Sequence, residues 1–264
     1  MSRAIEIVRT VGIALVEDGG RAHRLRHAIP RGGALDAEAL ALANAAVGNA
    51  SGAAAIERYG AVTVRALSDV VIADERGVLT VLERGASATF DWDGARRVGY
   101  LAIDGGIEVT PFLGGLGTML SLGRGGHEGR PLRRGDVLAL GEARATGTRR
   151  TITSGDAIRV TLGPDRFDDT AIALLLETTW TLDVRSDRTG TRLVGPTLPH
   201  REGTRAITMP MIEGAIECPP GGPPIVLGPE HPTTGGYPLV AVVASCDLSR
   251  FHRIALGRTV RFAL

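Results

Sequence analysis

AVTVRALSDVVIADERGVLTVLERGASATFDWDGARRVGYLAID, residues 61–104, is the stretch whose reading decides the fold. AVTVRAL, DVVIAD, VLTVLE, ATFDW and GYLAID are short runs that alternate or stay apolar, and Gly and Asp breaks separate them. A parallel α/β sheet needs a helix between most of its strands, and no part of this stretch supplies one. Working outward, AIEIVR and GIALVED precede it, and AIRVTLG, WTLDVRS, RLVGP, PIVLG, LVAVVAS and RTVRFAL follow. Turn signals recur roughly every 8–12 residues, the spacing of barrels and sandwiches. The chain therefore reads as mainly β with a few helices.

Two helices are expected. DAEALALANAAVGN, residues 36–49, opens on Asp36 as N-cap and stops at Gly48, and Leu40, Ala43 and Val47 share one face. DRFDDTAIALLLETT, from about residue 165 to 177, has Asp168 or Asp169 as cap. The polar Gly/Thr-rich run GEARATGTRRTITSG at 141–155 marks a division into an N-terminal domain, 1–148, and a C-terminal domain, 149–264. Each half then carries one helix, a set of strands, and a final polar turn leading into a strand.

Composition narrows the function. A chain of 264 residues that is 44% hydrophobic buries a substantial core. Aromatics are only 4%, so that core must be Val, Leu, Ile and Ala. The formal net charge of +1 gives no broad attraction to nucleic acid or to an anionic membrane. There is no lysine: all 30 basic residues are arginine, which excludes a lysine Schiff base and a P-loop lysine. Cys218 and Cys246 lack C-x-x-C spacing and read as thiols of a reducing cytosol. The first apolar run is too short and too charged for a signal peptide, and no stretch reaches the roughly 20 apolar residues of a membrane helix. A cytoplasmic protein is expected.

Four segments concentrate chemistry. PEHPTTGGYP, residues 229–238, sets His231 between Pro229 and Pro232, with the Thr233 and Thr234 hydroxyls, two glycines that admit close approach, and Tyr237. It reads either as a cradle for a carboxylate or carbonyl oxygen or as a rigid turn around a satisfied histidine. SDRTGTRLVGP, 186–196, places Asp187, Arg188 and Arg192 in one turn-like segment suited to bidentate anion binding, or to a solvated ion-paired hairpin. VEDGGRAHRLRHAIPRGGALD, 16–36, holds Arg21, His23, His27 and Asp36, but its glycines do not fit a dinucleotide fingerprint and it is a poor helix, so no metal site is expected. GGLGTMLSLGRGGHEGRPLRRGD, 114–136, is a long glycine-dense loop carrying His127, Glu128 and Arg130. No G-x-S-x-G elbow and no H-E-x-x-H occurs.

The order of these segments resembles the carboxyltransferase-type family of allophanate hydrolase subunit 2, the C component of 5-oxoprolinase and the antagonist of a sporulation-kinase inhibitor. Four motifs carry the resemblance, which spans about Gly12 to Arg261. They are Pro30, Gly33 and Asp36 with Ala43, Asn44, Val47, Gly48, Asn49 and Glu57; Gly105, Gly106, Pro111, Gly114 and Thr118 with Gly125, Gly126, Gly129, Arg130, Gly135 and Asp136; Ser186 to Pro196; and Gly214 to Pro238. The resemblance implies two cyclophilin-like β-barrel domains. It implies action with a subunit 1 homologue, and with a homologue of the A component of 5-oxoprolinase, in ATP-dependent cleavage of 5-oxoproline, with no cofactor held tightly by this chain. Two alternatives come with it: a biotin-dependent carboxyltransferase component of urea degradation, or a regulator that sequesters the subunit 1 homologue. By the same resemblance the HxTTGGYP loop lines the active cleft. His231 and Asp187 are then the catalytic candidates, and Arg188, Arg192, Thr233, Thr234, Gly235, Gly236, Tyr237, Arg21 and Asp36 the substrate-binding ones. The chain departs from the family pattern at Glu17 and Pro232, each in place of Gln, Gly32 in place of Ser, and Leu116 in place of Arg.

Overall fold

Alternating side chains turn residues 61–104 into strands, as the pattern predicts. In VTVRA, residues 62–66, Val62, Val64 and Ala66 are buried while Arg65 faces solvent. The structure, a computed structural model, describes residues 3–143, 152, 154–163, 167–200 and 207–264. The chain divides into two compact units, one formed by residues 1–22 and 32–152, the other by residues 23–31 and 153–264. A boundary at 148/149 lies outside the described residues. The segment 23–31, early in sequence, clusters with the second unit, which no single cut of the chain can express.

The first unit contains β1 (Ala4–Thr10), β2 (Ala14–Glu17), α1 (Ala37–Ala46), β3 (Ala55–Arg58), β4 (Val62–Ala66), β5 (Val70–Asp74), β6 (Leu79–Leu82), β7 (Ser87–Phe90), β8 (Gly99–Ile103) and β9 (Val137–Ala139). They form two antiparallel sheets, ordered β7-β4-β1-β9 and β2-β3-β8-β5-β6. Ile5, Ile7, Val62 and Val64 of one sheet share a core with Val16, Ile56, Leu101 and Ile103 of the other. All of β8 is buried because it has partners on both faces: Leu101 and Ile103 enter that core, while Tyr100 and Ala102 pack with Leu40 and Ala43 of α1 and with Val47 just after it. Asp36 caps α1 by accepting from Ala39 N at 3.0 Å, and Gly48 follows with φ +78°, a left-handed stop.

The second unit contains β10 (Ile158–Leu162), α2 (Asp169–Glu177), β11 (Trp180–Leu182), β12 (Gly190–Val194), β13 (Met209–Pro210), β14 (Ala215–Glu217), β15 (Ile225–Leu227), β16 (Thr234–Gly235), β17 (Leu239–Val243), α3 (Leu248–Arg253), β18 (Thr259–Val260) and β19 (Phe262–Ala263). Asp168 caps α2. An eight-stranded sheet runs β18-β11-β12-β15-β14-β17-β10-β19. RTVRFAL, expected as one strand, is two. Val260 pairs with Trp180 at one edge of this sheet and Phe262 pairs with Ile158 at the other. Residues two apart cannot touch both edges of an open sheet, so the sheet curls into a near-closed barrel. Its interior is filled by Val160, Trp180, Leu182, Leu193, Ile216, Val226 and Phe262. The third helix, α3, is absent from the sequence reading: its polar LSRFHR gives little amphipathic signal, and it buries only Phe251 and His252.

Candidate functional site

The two segments that the sequence singles out, 186–196 and 229–238, meet in the second unit. Gly228 N donates to Thr189 O at 2.9 Å, and Glu230 N donates to Arg188 O at 3.2 Å. Side chains add to this lacing, because Arg188 Nε donates to Glu230 Oε1 at 2.7 Å and both groups are largely buried. Gly228 permits the approach, since a Cβ there would collide with the Arg188 carbonyl. Asp187 fixes the hairpin turn by accepting from Thr189 N at 2.8 Å and Gly190 N at 3.3 Å. Ser186 Oγ accepts from Arg192 N at 3.0 Å. Arg185, on the same hairpin, pairs with Asp183, whose carboxyl is held at about 2 by hydrogen bonds from Arg185.

His231 is buried, and its Nδ1 lies 2.8 Å from Pro232 O. A carbonyl only accepts, so Nδ1 carries a proton and donates it to Pro232 O. Thr233 O accepts from Met211 N, and β16 pairs with β13 through Met209↔Gly235 and Pro210↔Thr234. Gly235 is needed for packing: a Cβ there would lie 2.5 Å from Met211 Cε. Thr234 and Tyr237 are exposed beside it, and Gly236 is half-buried.

A cavity of about 260 Å³ opens on the outer face of the barrel, lined by Asp187, Arg192, Glu217, Ile225, Leu227 and Pro232 among others. The register explains it. Arg192 of β12 lies opposite Ile225 of β15, and Ile225 lies opposite Glu217 of β14, so the three side chains stand in one row on one face. Thr191, Leu193, Ile216 and Val226, the alternate residues, fill the barrel interior. Gly190, opposite Leu227, lets Ile225 pack closely, since a Cβ there would lie 2.8 Å from Ile225 Cγ2. Arg192 is exposed and ion-pairs with no carboxylate among the described residues. Burial pushes the Glu217 carboxyl up.

Two substrate-binding candidates of the sequence reading, Arg21 and Asp36, lie in the first unit and are engaged within it. Arg21 is buried, with Nε donating to Phe112 O at 3.1 Å and Nη2 to Gly117 O. Asp36 serves as the α1 cap. The glycine-dense loop borders a separate cavity of about 460 Å³ that includes Arg124 and His127. Its flank is braced by Arg130, which bonds both Asp136 and Glu128, and His127 Nε2 lies 3.4 Å from Asp136 Oδ1.

Sequence reasoning missed Glu217, and it missed a buried group around Glu213. Glu213 lies 3.7 Å from His252 Nε2 and 3.3 Å from Arg31 Nε. Burial works to raise the Glu213 carboxyl, yet His252, Arg31 and His231 together hold it below the usual range. Its only signal in sequence is a glutamate amid apolar residues in MIEGAIE. Cys218, also buried, has its thiol pushed up to about 12. Among the described residues no group of three His, Cys, Asp or Glu is placed to hold a metal, and no helix is long and apolar enough to cross a membrane.

The second unit is a β-barrel with an arginine-edged cavity beside laced Gly/Pro loops, and comparison with known proteins assigns the chain to a family. The model of the family described as carboxyltransferase domain, subdomain A and B, matches residues 27–264, and the chain belongs to that family. It is 32% identical to the C component of 5-oxoprolinase from Escherichia coli over 98% of this chain and 90% of that protein. The crystal structure of the Kluyveromyces lactis urea carboxylase superposes with a TM-score of 0.89 at 26% identity, covering 99% of this chain and 27% of that one. Another crystallised relative, 30% identical with a TM-score of 0.85, is matched over 56% of its length.

Proposed function

We propose that the chain is a subunit of an ATP-dependent amide-hydrolysing complex of the 5-oxoprolinase type, opening 5-oxoproline to glutamate. It acts with a subunit 1 homologue and a homologue of the 5-oxoprolinase A component. The observation that carries this reading is the union of the 186–192 hairpin with the 228–232 loop beside a cavity edged by Arg192, in a chain alignable nearly end to end with the C component of a 5-oxoprolinase. Arg192 holds the substrate carboxylate, which suits its open guanidinium fork. Arg188 supports the loop through its ion pair with Glu230. Hydrolysis adds a water oxygen to the lactam carbonyl carbon, breaks the ring C–N bond and delivers a proton to the nitrogen. His231, and Asp187 at the cavity wall, are the groups that move or hold that proton. Thr233, Thr234, Gly235, Gly236 and Tyr237 follow Pro232 of the cavity wall along the chain and are proposed to contact the substrate. ATP is handled elsewhere in the complex, because the chain has no lysine for a P-loop.

The likeness to urea carboxylase favours a second reading, transfer of carboxyl from carboxybiotin to a urea-like amide. With no lysine among these 264 residues, biotin would be attached outside them. One experiment separates the two readings. The chain is mixed with its subunit 1 and A-component homologues, 5-oxoproline and ATP, and glutamate is measured against mixtures lacking each protein. Glutamate formed only by the full mixture is expected. No glutamate, together with avidin-sensitive carboxylation when a biotin carboxylase is added, overturns the hydrolase reading.

A further inference from the structure

Glu217 has no role in the reading above, yet it sits in the wall of the same cavity. It shares a cross-strand row with Arg192 across Ile225, two strand spacings away, which places their Cα atoms about 10 Å apart. A small molecule lying over Ile225 therefore has a guanidinium at one end and a carboxyl at the other. The floor between them, Ile225 and Leu227, is apolar. The other ionisable groups facing the cavity are Asp187 and Arg185, both on the hairpin side with Arg192. The buried thiol of Cys218 neighbours Glu217 along its own strand. No cation is paired with Glu217 among the described residues.

Resting on the 5-oxoprolinase reading, we infer that Glu217 is a specificity-determining residue: it faces the uncharged end of a monocarboxylate whose carboxylate lies on Arg192, and so selects an acid bearing a neutral amide or carbonyl over a dicarboxylate. The physical reason is asymmetric. Burial favours the neutral acid of Glu217, which donates a hydrogen bond to a lactam carbonyl. A second carboxylate at that end meets either the acid's burial or, once Glu217 ionises, a like charge with no cation to offset it. Hydrolysis of the lactam creates such a second carboxylate, together with an ammonium on the α-carbon at the Arg192 end, so the same residue that accepts the closed ring faces the new negative end of the opened product and disfavours it.

The test is equilibrium binding of L-5-oxoproline and L-glutamate by the complex reconstituted without ATP, for the wild type and Glu217→Gln, from pH 5 to pH 8. Glutamine keeps the shape and an N–H donor but never ionises. The wild type is expected to favour 5-oxoproline by about tenfold or more, and to lose affinity for it as pH rises through the elevated range of Glu217. Glu217→Gln is expected to flatten that pH dependence and to narrow the preference several-fold, with 5-oxoproline affinity at pH 5 within about threefold of wild type. Asp187 and the arginines are common to both proteins, so their contributions cancel in the comparison. An unchanged preference and an unchanged pH profile in a folded Glu217→Gln overturn the inference while leaving the function standing. Failure of the wild-type complex to bind 5-oxoproline at any pH removes the function and this inference with it.

Discussion

Arg21 and Arg192 both sit among glycines in segments that read alike in sequence, and the fold treats them oppositely. In the first unit the loop around residues 112–125 turns its carbonyls inward. Arg21 donates through Nε and Nη2 to Phe112 O and Gly117 O, its Nη1 is buried without a partner among the described residues, and glycine neighbours crowd it: a Cβ at Gly32, Gly115 or Gly125 would come within 2.7–2.9 Å of its side chain. In the second unit the hairpin is satisfied internally by Asp187 and Ser186, so no backbone acceptor competes for Arg192. Arg188 lies between these cases, buried but held by a carboxylate. An arginine in a glycine-rich loop is therefore a ligand candidate only where the loop's own acceptors are already occupied.

The sharpest way to break this comparison is at the intermediate case. Glu230→Ala removes one member of the largely buried Arg188–Glu230 pair, a loss that costs about 3–5 kcal/mol. The loss should appear as an earlier urea transition of the fluorescence of Trp180, which is fully buried in the second unit. A transition within about 0.5 kcal/mol of wild type would mean that the pair is not what laces the two loops together.

A medium effect is expected in acid. Asp136 braces the glycine loop of the first unit, and the hydrogen bond from Arg130 holds its carboxyl at about 2 against an ordinary 3.8. A carboxyl lowered on folding stabilises the native state above its unfolded value, and that stability disappears as pH falls from about 4 to 2. The contribution is at most about 2 kcal/mol. Asp136→Asn should flatten this limb of the melting-temperature profile. Asp183 has a similar shift, but its partner Arg185 is 75% exposed, so Asp183→Asn should change the acid limb less. Equal effects from both variants would remove the distinction drawn between enclosed and open ion pairs.

Local periodicity made much of the fold legible. β4, β5 and β8 carry period-two patterns or fully buried runs, and both Asp-capped helices begin at their caps. What stayed hidden depends on pairing across distance. Nothing in RTVRFAL states that Val260 and Phe262 belong to opposite sheet edges. The partner of Arg188 lies 42 residues away. Glu217 was invisible as a cavity group because its place beside Arg192 is created by the register through Ile225, and Glu213 because His252 and Arg31 reach it from a helix and a loop remote in sequence. Residue type can nominate a loop; only the register and the loop's internal hydrogen bonds say which of its charges remain available.

The smallest expected change in stability belongs to the residue expected to matter most for ligand. Arg192 is exposed, its neighbour Leu193 supplies the core contact, and its backbone N–H is retained by any substitution other than proline. Arg192→Ala should therefore move the unfolding free energy by no more than about 0.5 kcal/mol. The same substitution removes a charge-assisted contact to a carboxylate, and binding of 5-oxoproline should weaken about tenfold or more. Arg192→Lys keeps the charge but not the planar fork, and should recover only part of that loss. If Arg192→Ala destabilised the protein and left binding intact, Arg192 would be the structural arginine of its loop, and the contrast with Arg21 would have to be redrawn with Arg188 on the ligand's side.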